Sequence, residues 1–299
     1  VTTAVRTLKL GTRGSALATT QAQTIADRVR GARVELVTIT TDGDTDPRSL
    51  AQIGGTGVFA AALRTALLGG QVDIAVHCLK DLPVEPVPGL TVVAIPVRED
   101  PADVLVARDG LAFAELPAGA RVGTGSPRRA AQLRAVRPDL DIVDVRGNID
   151  TRIALVSSGR LDAVVLAHAG LARLGRLEDV TDAFAPELLL PAPGQGALAV
   201  ECRADELADL LAPLDDAATR TAVTAERAVL AALGAGCSTP VGALAEPSST
   251  GLRLRASVAG TITAEADGVD PLELGHRVAA LLLERGAQPY LDHQHPPVP

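Results

Sequence analysis

LKLGTRGSALATTQAQTIADRVRGARVELVTIT, residues 8–40, reads as strand, turn, helix and strand in succession. The runs LKLGT (8–12) and VELVTIT (34–40) are short, apolar and rich in β-branched residues, while 16–30 carries a helical spacing. A helix between two strands is the crossover that parallel pairing requires. The same grain continues through VDIAVH (72–77) and TVVAIP (91–96), with a helical stretch at 57–68. A second series follows in DVLVA (103–107), RVGTG (121–125), DIVDV (141–145) and DAVVLA (162–167), interleaved with helical patterns at 127–136 and 148–158. Two α/β domains of similar build, with parallel sheets covered by helices, are the expectation. Such sheets place functional loops at the C-terminal ends of strands, where helix N-termini offer free N–H groups.

The proline- and charge-rich segment PVREDPADVLV (96–106) reads as the seam between them, and LPAPGQGALAVECR (190–203) as a return to the first sheet. From about 217 a helical stretch, strand-like LRLRASVAGTIT and a final helix near 274–285 read as a smaller α+β domain. The expected division is 1–97 plus 197–215, then 98–196, then 216–299.

Composition narrows the classes. Of 299 residues 47% are hydrophobic and 21% charged, too apolar for a disordered chain. No apolar run reaches bilayer length and residues 1–20 lack the apolar segment of a secretory signal, so a cytoplasmic protein is expected. Cys78, Cys202 and Cys237 are too scattered for a disulfide framework and have no zinc-ligand spacing, so no metal is expected. A net charge of −8 and only 1% aromatics argue against nucleic acid and anionic membranes as partners.

Against that acidic background, three strand ends carry arginine. VGTGSPRRAAQLR (122–134) offers Ser126 as N-cap, Pro127 at the first helical position, then Arg128 and Arg129. Cations there oppose the helix dipole, which an anionic ligand shared by the arginines and the free N–H groups would explain; the competing reading is two solvated arginines on an exposed turn. DVRGNIDTRIALV (144–156) repeats the device with Arg146, Gly147, Asn148 and Arg152; GTRGSALATTQAQ (11–23) does so with Arg13, Ser15 and Gln21. Together they suggest one basic cleft for a small polycarboxylate or phosphate, with coincidence in an arginine-rich chain as the competing account. IAVHCLKDLPVEPVPGL (74–90) places Lys80, one of only two lysines, beside Asp81 where a strand ends. GAGCSTPVG (234–242) holds Cys237 in a glycine loop. His77 and Cys78 point to opposite strand faces, which argues against a simple dyad.

These segments, with GVF, AHAGLARLG, LPAPGQGALAVECR and AERAVLAALGAGCSTPVG, occur in an order that resembles the porphobilinogen deaminase family, from about residue 8 to 245. The resemblance implies two domains hinged like type II periplasmic binding proteins, a third α+β domain, and a monomer. It implies head-to-tail joining of four porphobilinogens with loss of ammonia, release of hydroxymethylbilane by water, and hand-off to the next enzyme of tetrapyrrole synthesis. A dipyrromethane cofactor would be attached by a thioether to Cys237 and held with Ser126, Arg128, Arg129, Lys80 and Asp81. Asp81 would be the catalytic carboxylate, with Lys80 facing substrate carboxylates and helping to keep Asp81 ionised. Arg13, Ser15, Gln21, Phe59, Arg146, Arg152 and Arg173 would bind substrate. Gln52 and Thr56 stand where the family commonly has loop lysines, and Cys78 where it has serine. The alternative is a non-catalytic two-lobed module that binds or senses a carboxylate ligand.

Overall fold

The computed structural model describes residues 6–40, 58–204, 206–236 and 238–291, which fall into two compact units. One comprises Val1–Glu99 and Ala197–Arg220, the other Asp100–Gly196 and Thr221–Pro299.

The first unit is built on a five-stranded sheet. Its members are β1 (Thr7–Thr12), β2 (Arg33–Thr38), β3 (Ile74–Cys78), β4 (Leu90–Ala94) and β10 (Leu198–Arg203), in the order β2-β1-β3-β10-β4. Alternation along β3 sorts its side chains between two cores. Ile74 and Val76 join Leu8, Leu10 and Val200 under helix α1 (Ala16–Ala26), whose Ala22 and Ile25 are fully buried. Ala75 joins Leu63, Ala66 and Leu67 of helix α2 (Val58–Leu68) on the other face. α1 stops four residues before its helical pattern does: the Asp27 N–H closes on Gln23 and Ile25, and Val29 still reaches the core from the following turn.

The second unit repeats the plan with β5 (Asp103–Ala107), β6 (Arg121–Gly123), β7 (Asp141–Val143), β8 (Ala163–Ala167) and β9 (Asp182–Ala183), ordered β7-β6-β8-β5-β9. Helix α3 (Pro127–Val136) packs Leu133 on one face. Helices α4 (Ile149–Ser157) and α5 (His168–Arg173) pack Val156 and Leu171 on the other. Neither sheet is wholly parallel, which corrects the sequence expectation. β10 runs antiparallel to β3 and β4, and β5 antiparallel to β8 and β9. Apolar runs specify burial on both faces but carry no signal for strand direction.

Short helix α6 (Ala208–Leu211) completes the first core through Leu211. The last segment adds an antiparallel sheet of β11 (Val241–Ser248), β12 (Gly251–Val258) and β13 (Ile262–Gly268). Helix α7 (Ala217–Ala232) sends Ala225 and Val229, and helix α8 (Pro271–Glu284) sends Leu274, Val278 and Leu282, into a core with that sheet. The α/β class, with two similar sheets and a smaller α+β part, is thus the observed architecture.

Candidate functional site

In the first unit, β1 ends at Thr12 and the chain turns through Arg13 into α1, where the Ser15 hydroxyl accepts the Ala18 N–H at 3.3 Å. β3 ends at Cys78 and gives way to a single 3-10 turn, Leu79–Asp81, anchored by buried Leu79. That turn brings half-buried Asp81 to an open concavity of about 370 Å³, whose polar lining is Arg13, Gln21, His77, Cys78 and Asp81. Asp81 makes no hydrogen bond or ion pair to any described residue. Gln21, buried in α1, places its amide nitrogen 3.3 Å from the Cys78 sulfur.

On the opposite face of β3, His77 is buried with its Nε2 3.1 Å from the Glu201 carboxylate of β10. Arg64 of α2 donates to the same carboxylate from Nε at 3.1 Å and Nη2 at 2.9 Å. Burial opposes ionisation of Glu201, but the hydrogen bonds and charges of His77 and Arg64 outweigh it and hold its pKa below the usual glutamate value.

In the second unit, β6 delivers the chain to Ser126, whose hydroxyl accepts the Arg129 N–H at 3.4 Å and caps α3. Arg128 and Arg129 are 4% and 5% exposed, so neither is a solvated surface arginine. Both face Asp103, at the start of β5 and fully buried. Arg129 reaches its Oδ1 at 3.0 Å from Nε and 2.6 Å from Nη2; Arg128 Nη2 lies 2.8 Å from its Oδ2. Gln195 adds a bond of 2.8 Å to Oδ1, while Arg129 Nη1 donates to the Val165 carbonyl and Arg128 Nη1 to that of Leu190. Burial raises the Asp103 pKa, yet the two guanidinium charges and the hydrogen bonds more than reverse this and hold it far below the carboxylate range. Burial lowers the pKa of Arg128, and its Nε is buried with no hydrogen-bond partner among the described residues.

Arg152 of α4 donates from Nε to the Gly147 carbonyl at 2.9 Å. Burial lowers its pKa first, and the charges of Arg129 and Arg146 lower it further. Arg146 makes no hydrogen bond or ion pair to a described residue, and Arg173 Nη2 donates to the Gly196 carbonyl at 2.5 Å. Four guanidinium groups, those of Arg128, Arg129, Arg146 and Arg152, therefore stand against buried Asp103 and exposed Asp144. Such a surplus of partly buried cations calls for an acidic guest.

The expected site residues separate by unit. Arg13, Ser15, Gln21, Lys80 and Asp81 lie in the first; Ser126, Arg128, Arg129, Arg146, Arg152 and Arg173 lie in the second. Cys237, Gln52 and Thr56 lie outside the described residues, as does the side chain of Phe59 in the first turn of α2. Sequence reasoning missed Asp103 and Glu201. The signal was present: each is an acid next to a run of apolar strand residues, Asp103 opening DVLVA and Glu201 following LAV in LAVECR, and buried acids are almost always paired.

Two five-stranded α/β sheets, each with charged side chains at its strand ends, and a cluster of guanidinium groups in the second unit define an α/β protein that binds an anion. Residues 8–209 match the family described as "Porphobilinogen deaminase, dipyromethane cofactor binding domain", and residues 220–284 match "Porphobilinogen deaminase, C-terminal domain". The chain belongs to the porphobilinogen deaminase family. It is 55% identical to porphobilinogen deaminase 1 of Streptomyces coelicolor over 94% of this chain and 96% of that one. It is likewise 55% identical to porphobilinogen deaminase of Mycobacterium tuberculosis (94% and 97%) and 53% to that of Thermobifida fusca (93% and 94%). Among solved structures it is similar to the methionine binding protein MetQ, at 14% identity, 70% of this chain, 89% of that chain and a TM-score of 0.42. The family is one of transferases in tetrapyrrole synthesis with a dipyrromethane cofactor, and the reading as a non-catalytic sensing module is not favoured.

The residues present fit that cofactor. Its acetate and propionate side chains are the acids that the uncompensated guanidinium groups and the orphaned Arg128 Nε call for.

Proposed function

We propose that the chain is a hydroxymethylbilane synthase, forming carbon–carbon bonds between pyrroles with loss of ammonia. Four porphobilinogens are joined head to tail, and water frees the linear product. The observation that carries this reading is Asp81, a half-buried carboxylate without a partner among the described residues, in a concavity it shares with Arg13.

Departure of ammonia from porphobilinogen leaves a cation conjugated with the pyrrole nitrogen. Joining this cation to the pyrrole carbon that the bound cofactor would supply requires an acceptor for the α-proton released there. Asp81 accepts the pyrrole N–H bond, stabilises the substrate cation and takes the proton, which is differential binding of charge that exists only during reaction. Lys80 meets a substrate carboxylate. Arg13, Gln21 and Ser15 orient the incoming molecule; the Ser15 oxygen caps α1, which leaves its hydroxyl proton to donate. Arg146, Arg152 and Arg173 pair with further carboxylates, and Phe59 stacks on the pyrrole rings.

Cys237 holds the dipyrromethane by a thioether, while Ser126, Arg128 and Arg129, with Lys80 and Asp81, bind its polar groups. Arg129 spends three N–H groups on Asp103 and Val165, so Asp103 fixes the plane in which its remaining N–H groups are offered. When bound, the cofactor supplies the pyrrole end to which substrate is joined. The domains are read as 1–97 plus 197–215, 98–196 and 216–299, in a cytoplasmic monomer that passes its product to the next enzyme of the route. Among the described residues no helix is long and apolar enough to cross a membrane.

Intact-protein mass together with ammonia release tests the reading. The expected result is an excess mass of two linked pyrroles and stoichiometric ammonia from porphobilinogen. Unmodified mass with no ammonia would overturn it.

A further inference from the structure

We infer that His77, poised by Glu201 and Arg64, sets the charge beneath the Asp81 concavity and thereby controls the acid limb of turnover. The inference deepens the proposed function and rests on it for the identity of the reaction.

The observations are geometric. His77 is 6% exposed and Glu201 2%, on neighbouring strands, with their polar atoms 3.1 Å apart. Arg64, whose side chain is 12% exposed, makes a bond of 2.9 Å to the other oxygen of Glu201. His77 also lines the concavity that holds Asp81. Among the described residues the charged groups around it are Glu201 from β10, Arg64 from α2, Asp81 from the turn after β3 and Arg13 from the turn before α1; α1 itself contributes uncharged Gln21 and Ala18.

With His77 neutral, Arg64 and Glu201 cancel and the triad that meets the concavity through His77 carries no net charge. Protonation of His77 leaves one uncompensated positive charge there. The reaction develops its own positive charge in that concavity when ammonia leaves, and like charges in a weakly solvated site repel strongly. The cost falls on formation of the cation, so kcat should drop while KM, set by substrate carboxylates at the arginines, holds. His77 is thus a positioning residue that acts through the field, with Asp81 as the group touching substrate.

Two neighbours tune the titration in opposite directions. Glu201→Gln removes the anion facing His77, leaves Arg64 beside it and should move its titration to lower pH. Arg64→Gln removes a cation and should move it to higher pH. In a purely structural triad the His77 midpoint would still move in both variants, but the acid limb of kcat would not follow it.

The experiment uses the cofactor-loaded enzyme with 15N-labelled histidine. The His77 resonances, identified by their loss in His77→Gln, are titrated in the wild type, Glu201→Gln and Arg64→Gln, and kcat and KM for ammonia release are measured against pH in parallel. The expected result is a wild-type kcat that falls about tenfold per pH unit below the His77 midpoint, an acid limb displaced by at least about one unit in His77→Gln, and limbs that follow the shifted midpoints in the other two. Should Glu201→Gln fail to fold, His77→Gln and Arg64→Gln retain the test. An acid limb unchanged in His77→Gln, or midpoints that do not move, would overturn the inference while leaving the reaction itself standing. Absence of porphobilinogen turnover in the wild type at every pH would instead remove the reading on which the inference rests.

Discussion

Asp103 and Asp81 show two fates of a carboxylate in one chain. Asp103, fully buried, is ionised because two guanidinium groups and a glutamine amide replace water around it. Asp103→Asn leaves Arg128 and Arg129 buried without their anion, and the expected cost is about 3–5 kcal/mol, read by urea unfolding at pH 7. Its folded pKa is depressed from 3.8, so this contribution is present above that value and is lost as pH falls through the folded one. The gap between wild type and variant should therefore narrow below pH 3.8; a constant gap would mean that the charge of Asp103 is not what stabilises the fold. Asp81, half-buried and without a partner among the described residues, has its charge free for a guest. Asp81→Asn keeps shape and neutral hydrogen bonding, and single-turnover ammonia release should slow by about 10²–10⁴ with stability unchanged. Asp81→Glu should retain partial activity. A rate within a few-fold of wild type for the Asn variant would take Asp81 out of the chemistry.

At the scale of elements, the strand–turn–helix step is what aims these residues. Between β6 and α3, Gly125 allows a backbone approach that no side chain permits: a Cβ there would lie 2.5 Å from the Val145 carbonyl oxygen. Val145 leads directly to Arg146, so the close approach holds the turns before α3 and α4 together. Gly125→Ala should cost about 1–3 kcal/mol by overpacking and should weaken retention of the cofactor, seen as lower melting temperature and a lower fraction carrying the added mass. An alanine variant with wild-type melting and loading would show that the turn is free to move. The cap and the arginine pair of α3 were readable in SPRR, because Ser126 and Pro127 act through local backbone geometry. Strand direction was not readable, since β5 and β10 are buried on both faces in either direction.

Across the whole molecule, a chain of net charge −8 still sets Arg128, Arg129, Arg146 and Arg152 close together in its second unit, which suits capture of an acidic guest by a locally basic site. The cysteine proposed to carry the cofactor, Cys237, lies far from that cluster in sequence. Cys237→Ser should fold, lose the two-pyrrole mass and give no colour with Ehrlich's reagent, because a hydroxyl is a much weaker nucleophile than a thiolate. Retention of the mass in Cys237→Ser, with its loss in Cys78→Ser, would move the attachment to the concavity beside Asp81. The sequence alone determined the α/β class, through apolar periodicities of two kinds, and the family, through an ordered set of motifs. Both are properties of neighbours along the chain. Tertiary structure decided what each charge faces. The anion that Arg128 and Arg129 require is Asp103, 26 residues before Arg129, and the partner of His77 is Glu201, 124 residues after it. Those pairings exist because β5 lies beside β8 and β10 beside β3, and strand order follows from closure of the whole sheet, which no local pattern encodes.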